Sequence, residues 1–281
     1  MKRFFAAAAA LAAIAFPCLA NAQELRAWVV GEGSGHVEFT FIRQEAPILL
    51  RGTTPRDLNP DFSQNTYLIS GSYGVTDRFM IDGRIGYSTT VFPVGPSSPD
   101  GGNEGISDAR IGLTYLLVDE TRGAPVSLTA SVAAIAAGDY DPSFADGIGD
   151  GASGAEVGIA IGRVFANGIS VSAQSGGRFR AENVPVEFFL GGTVAYQATS
   201  RISTFVSMGW QNSFGDLDLG TPQFTSRTLF PQLEEDFGSF TVGTSIQLVK
   251  GLYLRGSYGR KFEGRNTTIG GFYFIGLGYA F

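Results

Sequence analysis

The stretch 270-GGFYFIGLGYAF-281 decides the fold. Tyr273, Ile275, Leu277, Tyr279 and Phe281 are large and apolar at every second position, and Gly276, Gly278 and Ala280 stand between them. A period of two places the large set on one face of a β-strand. In a soluble sheet that face needs a core. In a transmembrane barrel it meets lipid, while the small face looks inward.

The opening residues read differently. Lys2 and Arg3 precede an apolar run that ends in Ala20-Asn21-Ala22, the pattern of a cleavable secretory signal over 1–22. Removing the first 22 of 281 residues leaves 259, and Cys18 goes with the signal. The mature chain then has neither a disulfide nor a thiolate metal site. Without Lys2 and Arg3, the 20 basic residues become 18 against 26 acidic ones, a net charge of −8 that excludes a nucleic-acid surface. No later apolar stretch is long enough for a membrane helix.

Working back from the end, alternation recurs. Ile69, Gly71, Tyr73 and Val75 share one face; Phe79, Ile81, Ile85 and Tyr87 lie opposite Asp82 and Arg84; Ile111, Leu113, Tyr115 and Leu117 lie opposite Asp108, Arg110 and Thr114. Twelve strands are expected, near 35–43, 65–75, 78–92, 106–118, 125–138, 153–165, 168–180, 185–197, 201–213, 237–249, 252–263 and 267–281. Short connections (76–77, 119–124, 166–167, 199–201, 250–251) alternate with mostly longer ones (44–64, 93–105, 139–152, 214–236). This is the rhythm of an up-and-down antiparallel barrel with both termini on the short-turn side. A soluble sandwich also alternates, but it would have to hide too many apolar faces in about 260 residues. The expected class is therefore an all-β transmembrane barrel of about 12 strands over 35–281, after a cleaved signal peptide. Residues 23–34 form either a periplasmic extension of the first strand or a lumen plug.

Two segments carry a family resemblance. The stretch 105-GISDARIGLTYLL-117 resembles the glycine–aspartate strand of the outer-membrane family linked to phenol meta-degradation pathways. The stretch 136-AAGDYDPSFADGIGDGASGAEVGIAIGRVF-165 resembles that family's following hairpin, with Ala136 and Ala137 where the family often has Pro-Thr. The similarity runs through roughly 105–281. It implies a porin-like transporter for small, often hydrophobic compounds, in the outer membrane of a Gram-negative bacterium, and does not imply phenol. From the same outer-membrane resemblance, Tyr279 and Phe281 are expected to form the assembly signal read by the insertion machinery.

Several motifs are decoys on this reading. The stretch 149-GDGASG-154 matches Gly-x-Gly-x-x-Gly but lacks the strand–helix frame of a dinucleotide site. Asp139, Asp141, Asp146 and Asp150 are oxygen ligands suited to a hard cation, yet Asp and Gly are ordinary turn residues and the spacing is not that of an EF-hand. Glu234, Glu235 and Asp236 read as a solvated loop edge. His36 is the sole histidine, with no readable serine partner for hydrolase chemistry. No enzyme, cofactor or metal site is expected.

Phasing each strand by its apolar face points Glu38, Asp82, Arg84, Asp108, Arg110, Glu156, Gln174, Arg178, Arg180, Glu187, Gln211, Arg255, Lys261 and Glu263 into the lumen. Asp82 and Arg84 neighbour Asp108 and Arg110 and can form cross-strand ion pairs. These residues are expected to line a polar transport path whose opposed charges set selectivity, or to fill the interior. The two corresponding functions are a passive channel for small, hydrophobic or aromatic solutes and a structural or surface-interaction barrel with a closed lumen. Expected partners are outer-membrane lipid and lipopolysaccharide, the assembly machinery and a small-molecule solute, with no nucleic acid.

Overall fold

The computed structural model describes residues 27–92, 102–143 and 148–281. The expected signal peptide at 1–22, residues 23–26 and Asp146 lie outside them. Thirteen strands follow in order: β1 (Gly35–Arg51), β2 (Thr54–Thr76), β3 (Phe79–Val91), β4 (Gly102–Ile106), β5 (Ala109–Val118), β6 (Ser127–Ala136) and β7 (Gly154–Val164), then β8 (Ile169–Arg180), β9 (Val186–Gln197), β10 (Ile202–Phe214), β11 (Asp236–Gln247), β12 (Leu252–Arg265) and β13 (Thr268–Ala280). All neighbours pair antiparallel, and β13 returns to β1 from Ala280 against His36 to Thr268 against Leu49. Gly35 and Phe281 exchange both backbone hydrogen bonds at the seam.

The barrel has twelve lanes, because β4 and β5 share one. β3 pairs with β5 along Phe79–Arg84 and with β4 along Tyr87–Val91. The lane breaks at Ser107-Asp108. The break turns the Asp108 carboxylate inward, where it accepts from Tyr140 Oη at 2.6 Å and from the Gly138 amide at 3.0 Å.

The alternation holds around the wall. Ile111 and Ile275 are each 60% exposed, and Val37, Ile69, Ile159, Val194, Val206 and Leu277 also face outward. Such a belt is stable against hydrocarbon and unstable against water. Outward aromatics stand toward both ends of the strands: Tyr73, Tyr115, Phe165, Tyr196 and Tyr279 near the short turns, Tyr87, Phe179, Phe188 and Phe214 near the loops. Such girdles are typical of membrane barrels. The small face of β13 has its own reason. A Cβ on Gly278 would stand 2.2 Å from Tyr253 Cζ, so Tyr253 lies flat over the last strand only because that position is bare.

The stretch expected as a long loop at 44–64 is instead β-hairpin. β1 and β2 run past the rim and turn at Gly52-Thr53, with register slips at Ala46–Ile48. Ala46, Leu49, Phe62 and Phe92 bury together there, with Leu58 and Leu219 against them, so apolar packing carries the ladder beyond the barrel.

Ile275 is at the middle of an outward face. Ile275→Arg is expected to cost about 2–4 kcal/mol of stability. Denaturant unfolding in lipid bilayers measures this.

Candidate functional site: the lumen

A ladder of ion pairs crosses the loop-side half of the interior. Arg110 pairs with Asp82 and, through Nε, with Glu156 Oε1 at 3.1 Å. Glu156 Oε2 accepts from Arg178 Nη2 at 3.2 Å, and Arg178 reaches on to Glu187. Gln211 Nε2 donates to Glu187 Oε1 at 2.8 Å. The members come from β3, β5, β7, β8, β9 and β10. Glu156 is 1% exposed and Arg178 2%, so the charges at the centre of the ladder are desolvated and each depends on its neighbour. A second pair, Glu38 with Arg255 at 2.9 Å, lies further toward the short turns.

Residues 137–143 and 148–153 fold against this ladder. Arg180 pairs with Asp108 and with Asp150, the latter at 3.2 Å. The Gly151 amide donates to Tyr140 Oη at 2.7 Å, and Ile148 and Ala152 are buried. Burial, then the nearby Asp108 carboxylate, pushes the Tyr140 phenol well above its ordinary value, so it remains a donor. Burial also raises Asp150 against the opposing pull of Arg180.

A second loop, 215–235, is clasped over the mouth. Arg265 donates to both Asp218 oxygens at 2.7 and 2.8 Å and pairs with Glu234 at 2.6 Å. Asn266 Oδ1 accepts from the Gly52 and Leu219 amides at 2.8 and 2.9 Å. The hydrogen bonds from Arg265 hold the Asp218 carboxyl below the usual carboxylate range.

Two adjoining cavities lie between these elements among the described residues. The outer one, about 120 Å³, is bordered by Leu49, Phe62, Phe230, Leu233, Glu235 and Lys261. The inner one, about 40 Å³, lies between Ile42 and Leu68 on one side and Arg84, Arg110, Arg178 and Arg180 on the other. Behind Ile42 and Leu68 stand Phe272 and Phe274, also inward. This wall thus carries two apolar clusters, one at mid-barrel and one around Phe62 and Phe92, with the hydrogen-bonded Gln44, Gln64, Thr66 and Ser88 between them.

The short-turn end holds Trp28. Its indole packs with Ala27, Ala160 and Phe189, and Nε1 donates to Glu120 Oε1 at 2.7 Å. A Cβ on Gly162 would lie 2.6 Å from the indole, so this glycine leaves the ring its place. Residues 27–34 do not continue β1. Only their last part meets β2, at Gly74, where the Gly33 amide donates to the Gly74 carbonyl and the Gly74 amide to the Ser34 carbonyl, while Ala27 and Trp28 pack on β7 and β9.

Glu38, Asp82, Arg84, Arg110, Glu156, Gln174, Arg178, Arg180, Glu187, Gln211, Arg255 and Lys261 lie on the less exposed face of their strands, opposite the apolar belt, and Asp108 lies in the break between β4 and β5. Asp82 meets Arg110 across the β3–β5 ladder as the spacing suggests. Glu263 is a correction. β12 carries a bulge at Phe262, with Lys261 opposite Ser239 and Glu263 opposite Gly238. The extra residue reverses the phase, and Glu263 is exposed, accepting from the outward Trp210 Nε1 at 3.2 Å. Glu234, Glu235 and Asp236 are not a solvated edge: Glu235 pairs with Lys261, and Asp236 accepts from the Ser213 amide at 2.8 Å. His36 does have a serine partner. Ser72, opposite it on β2, places Oγ 2.9 Å from Nδ1. Among the described residues no acidic or histidine group is arranged to hold a metal, and Asp150 is bound to Arg180. Phe272, Phe274 and Trp28 were absent from the sequence-derived lumen set.

Known proteins resemble this chain by fold. An outer membrane channel from Pseudomonas putida F1 superposes with a TM-score of 0.74 at 14% identity, over 93% of this chain and all of that one. The NanC porin gives 0.52 at 8% identity, over 87% and 98%. The beta domain of the Bordetella autotransporter BrkA gives 0.50 at 16% identity, over 88% and 99%. No protein-family model matches the sequence, and no characterised protein matches it by sequence. The chain thus has the fold of outer-membrane barrels, and the phenol-pathway association of the sequence resemblance gains no support.

Glu156 serves two arginines. Glu156→Ala is expected to cost about 3–5 kcal/mol, because Arg110 and Arg178 lose a shared buried counter-ion; denaturant titration reads it. Asp218 has a lowered pKa in the fold. Its stabilisation of the clasp is therefore complete above the ordinary carboxylate range and is lost as pH falls through the lowered value. Hydrogen exchange of residues 215–235, corrected for intrinsic rates, should stay slow from pH 8 to 5 and rise only in stronger acid. In Asp218→Asn it should already be fast at neutral pH.

Proposed function

We propose that this protein is an outer-membrane channel through which small hydrophobic or aromatic solutes pass without energy coupling. The observation that carries the reading is the pair of inward apolar clusters on one wall, Ile42, Leu68, Phe272 and Phe274 at mid-barrel and Leu49, Phe62 and Phe92 further out. A barrel filled only for stability has no need of apolar clusters bordering cavities on its inside. The short-turn rim faces the periplasm and the loops face outward, with the belt in contact with lipid and lipopolysaccharide. Tyr279 and Phe281, stacked at 6.4 Å beside the seam, are the residues offered to the assembly machinery. Residues 27–34 act as a lumen plug, with Trp28 as its anchor.

The ladder and Trp28 favour a second reading, a structural barrel with a closed lumen. Both readings keep ions out, so solute entry separates them. Apolar aromatics cross plain phospholipid unaided, and the test therefore uses intact cells whose outer leaflet is lipopolysaccharide. Cells carrying the protein should accumulate a labelled aromatic hydrocarbon several-fold faster than cells without it, and Leu68→Arg should remove the gain. Equal rates with and without the protein support the closed barrel. His36→Ala should leave uptake unchanged, because the Ser72–His36 contact acts as a cross-strand pin; loss of function in that variant would revive the enzyme reading.

A further inference from the structure

We infer that the solute carries a single anionic group on an apolar body, and that the inner cavity holds the anion. This rests on the channel reading above and names its solute class. Among its described lining residues the cavity's charged groups are four guanidiniums, Arg84, Arg110, Arg178 and Arg180, and one carboxylate, Asp108. The ladder's other carboxylates, Asp82, Glu156 and Glu187, stand off the cavity wall. The ladder as a whole is near neutral, so the selectivity comes from which charges face the space. About 40 Å³ is room for roughly three waters, the size of a carboxylate or sulfonate. The adjoining outer cavity shares Gln64 and Gly149 with it and presents Leu49, Phe62, Phe230 and Leu233 to an apolar body. Its own carboxylates Asp150, Glu187 and Glu235 are each occupied by Arg180, Arg178 and Lys261.

Guanidinium forks bind oxyanions through paired N–H donors. Each guanidinium carries five N–H donors, so a solute oxyanion can be bound beside the ladder carboxylates rather than in place of them. A neutral solute entering the same space gives the guanidiniums nothing in exchange.

The test compares 1-anilinonaphthalene-8-sulfonate with N-phenyl-1-naphthylamine, the same scaffold without the sulfonate. Fluorescence titration uses the full protein in lipid nanodiscs, with empty discs subtracted. The sulfonate should bind at least tenfold more tightly than the amine. Arg84→Gln should abolish most of that preference and leave the amine unchanged, while Leu68→Gln should weaken both. Heat-modifiable electrophoretic migration checks that each variant is folded; Arg84→Lys, which keeps the charge, should retain part of the preference. Equal affinities in the wild type, or a preference that survives Arg84→Gln, overturn the inference while the channel reading stands. Binding of neither probe removes the apolar path itself and overturns both.

Discussion

Everything in this molecule depends on closing the sheet. In hydrocarbon an unpaired backbone amide or carbonyl costs several kcal/mol, and only a helix or a closed barrel avoids that cost. The β13–β1 seam supplies the closure, from Ala280 against His36 to Thr268 against Leu49. Once no edge remains, the outer face is free to be apolar and the inner face is free to carry charge. Asp108 shows the same constraint from the other side. The lane carrying it breaks, yet the Ser107 amide still reaches the Gly86 carbonyl and the Asp139 amide the Ile106 carbonyl, so the backbone groups around the break remain paired.

The interior is divided rather than uniform. β3 to β9 contribute the ion-pair ladder, while β13, β1 and β2 contribute the apolar wall. The two meet at the inner cavity. A barrel of eight strands fills itself with side chains and one of sixteen leaves an aqueous channel. Twelve lanes leave a space that the ladder, residues 137–143 and 148–153, and Trp28 partly fill. On the proposed reading such a lumen resists small inorganic ions because the charges of the ladder are already paired, and it offers less resistance to a solute that can slide along Phe272, Phe274 and Leu68.

Much of this was legible from period two alone. The phase of Ile81, Ile85, Ile111 and Leu113 placed Asp82, Arg84 and Arg110 inside, and the length rhythm of the connections located the rims. The failures have distinct physical causes. Glu263 was misplaced because one bulge residue, Phe262, reverses a phase that counting assumes constant. The 44–64 hairpin was missed because its strands continue beyond the membrane, where Ala46, Leu49 and Phe62 pack on a neighbouring loop instead of lipid. Phe272 and Phe274 were missed because both faces of β13 are apolar there, and alternation carries no signal when the inward side is greasy too. The engagement of Asp108 with Tyr140 and Arg180, and of Ser72 with His36, is a long-range outcome that local pattern does not encode.

The central claim is a lumen closed to small inorganic ions by paired charge and Trp28, yet open to a solute with an apolar body. The most direct test is single-channel recording of the purified protein in planar bilayers, beside a variant with Asp82, Arg84, Asp108 and Arg110 all changed to Ala. The account predicts very small or absent ionic steps in the wild type and clear steps in the variant, with altered ion selectivity. Large steady steps in the wild type that the four substitutions leave unchanged would contradict it.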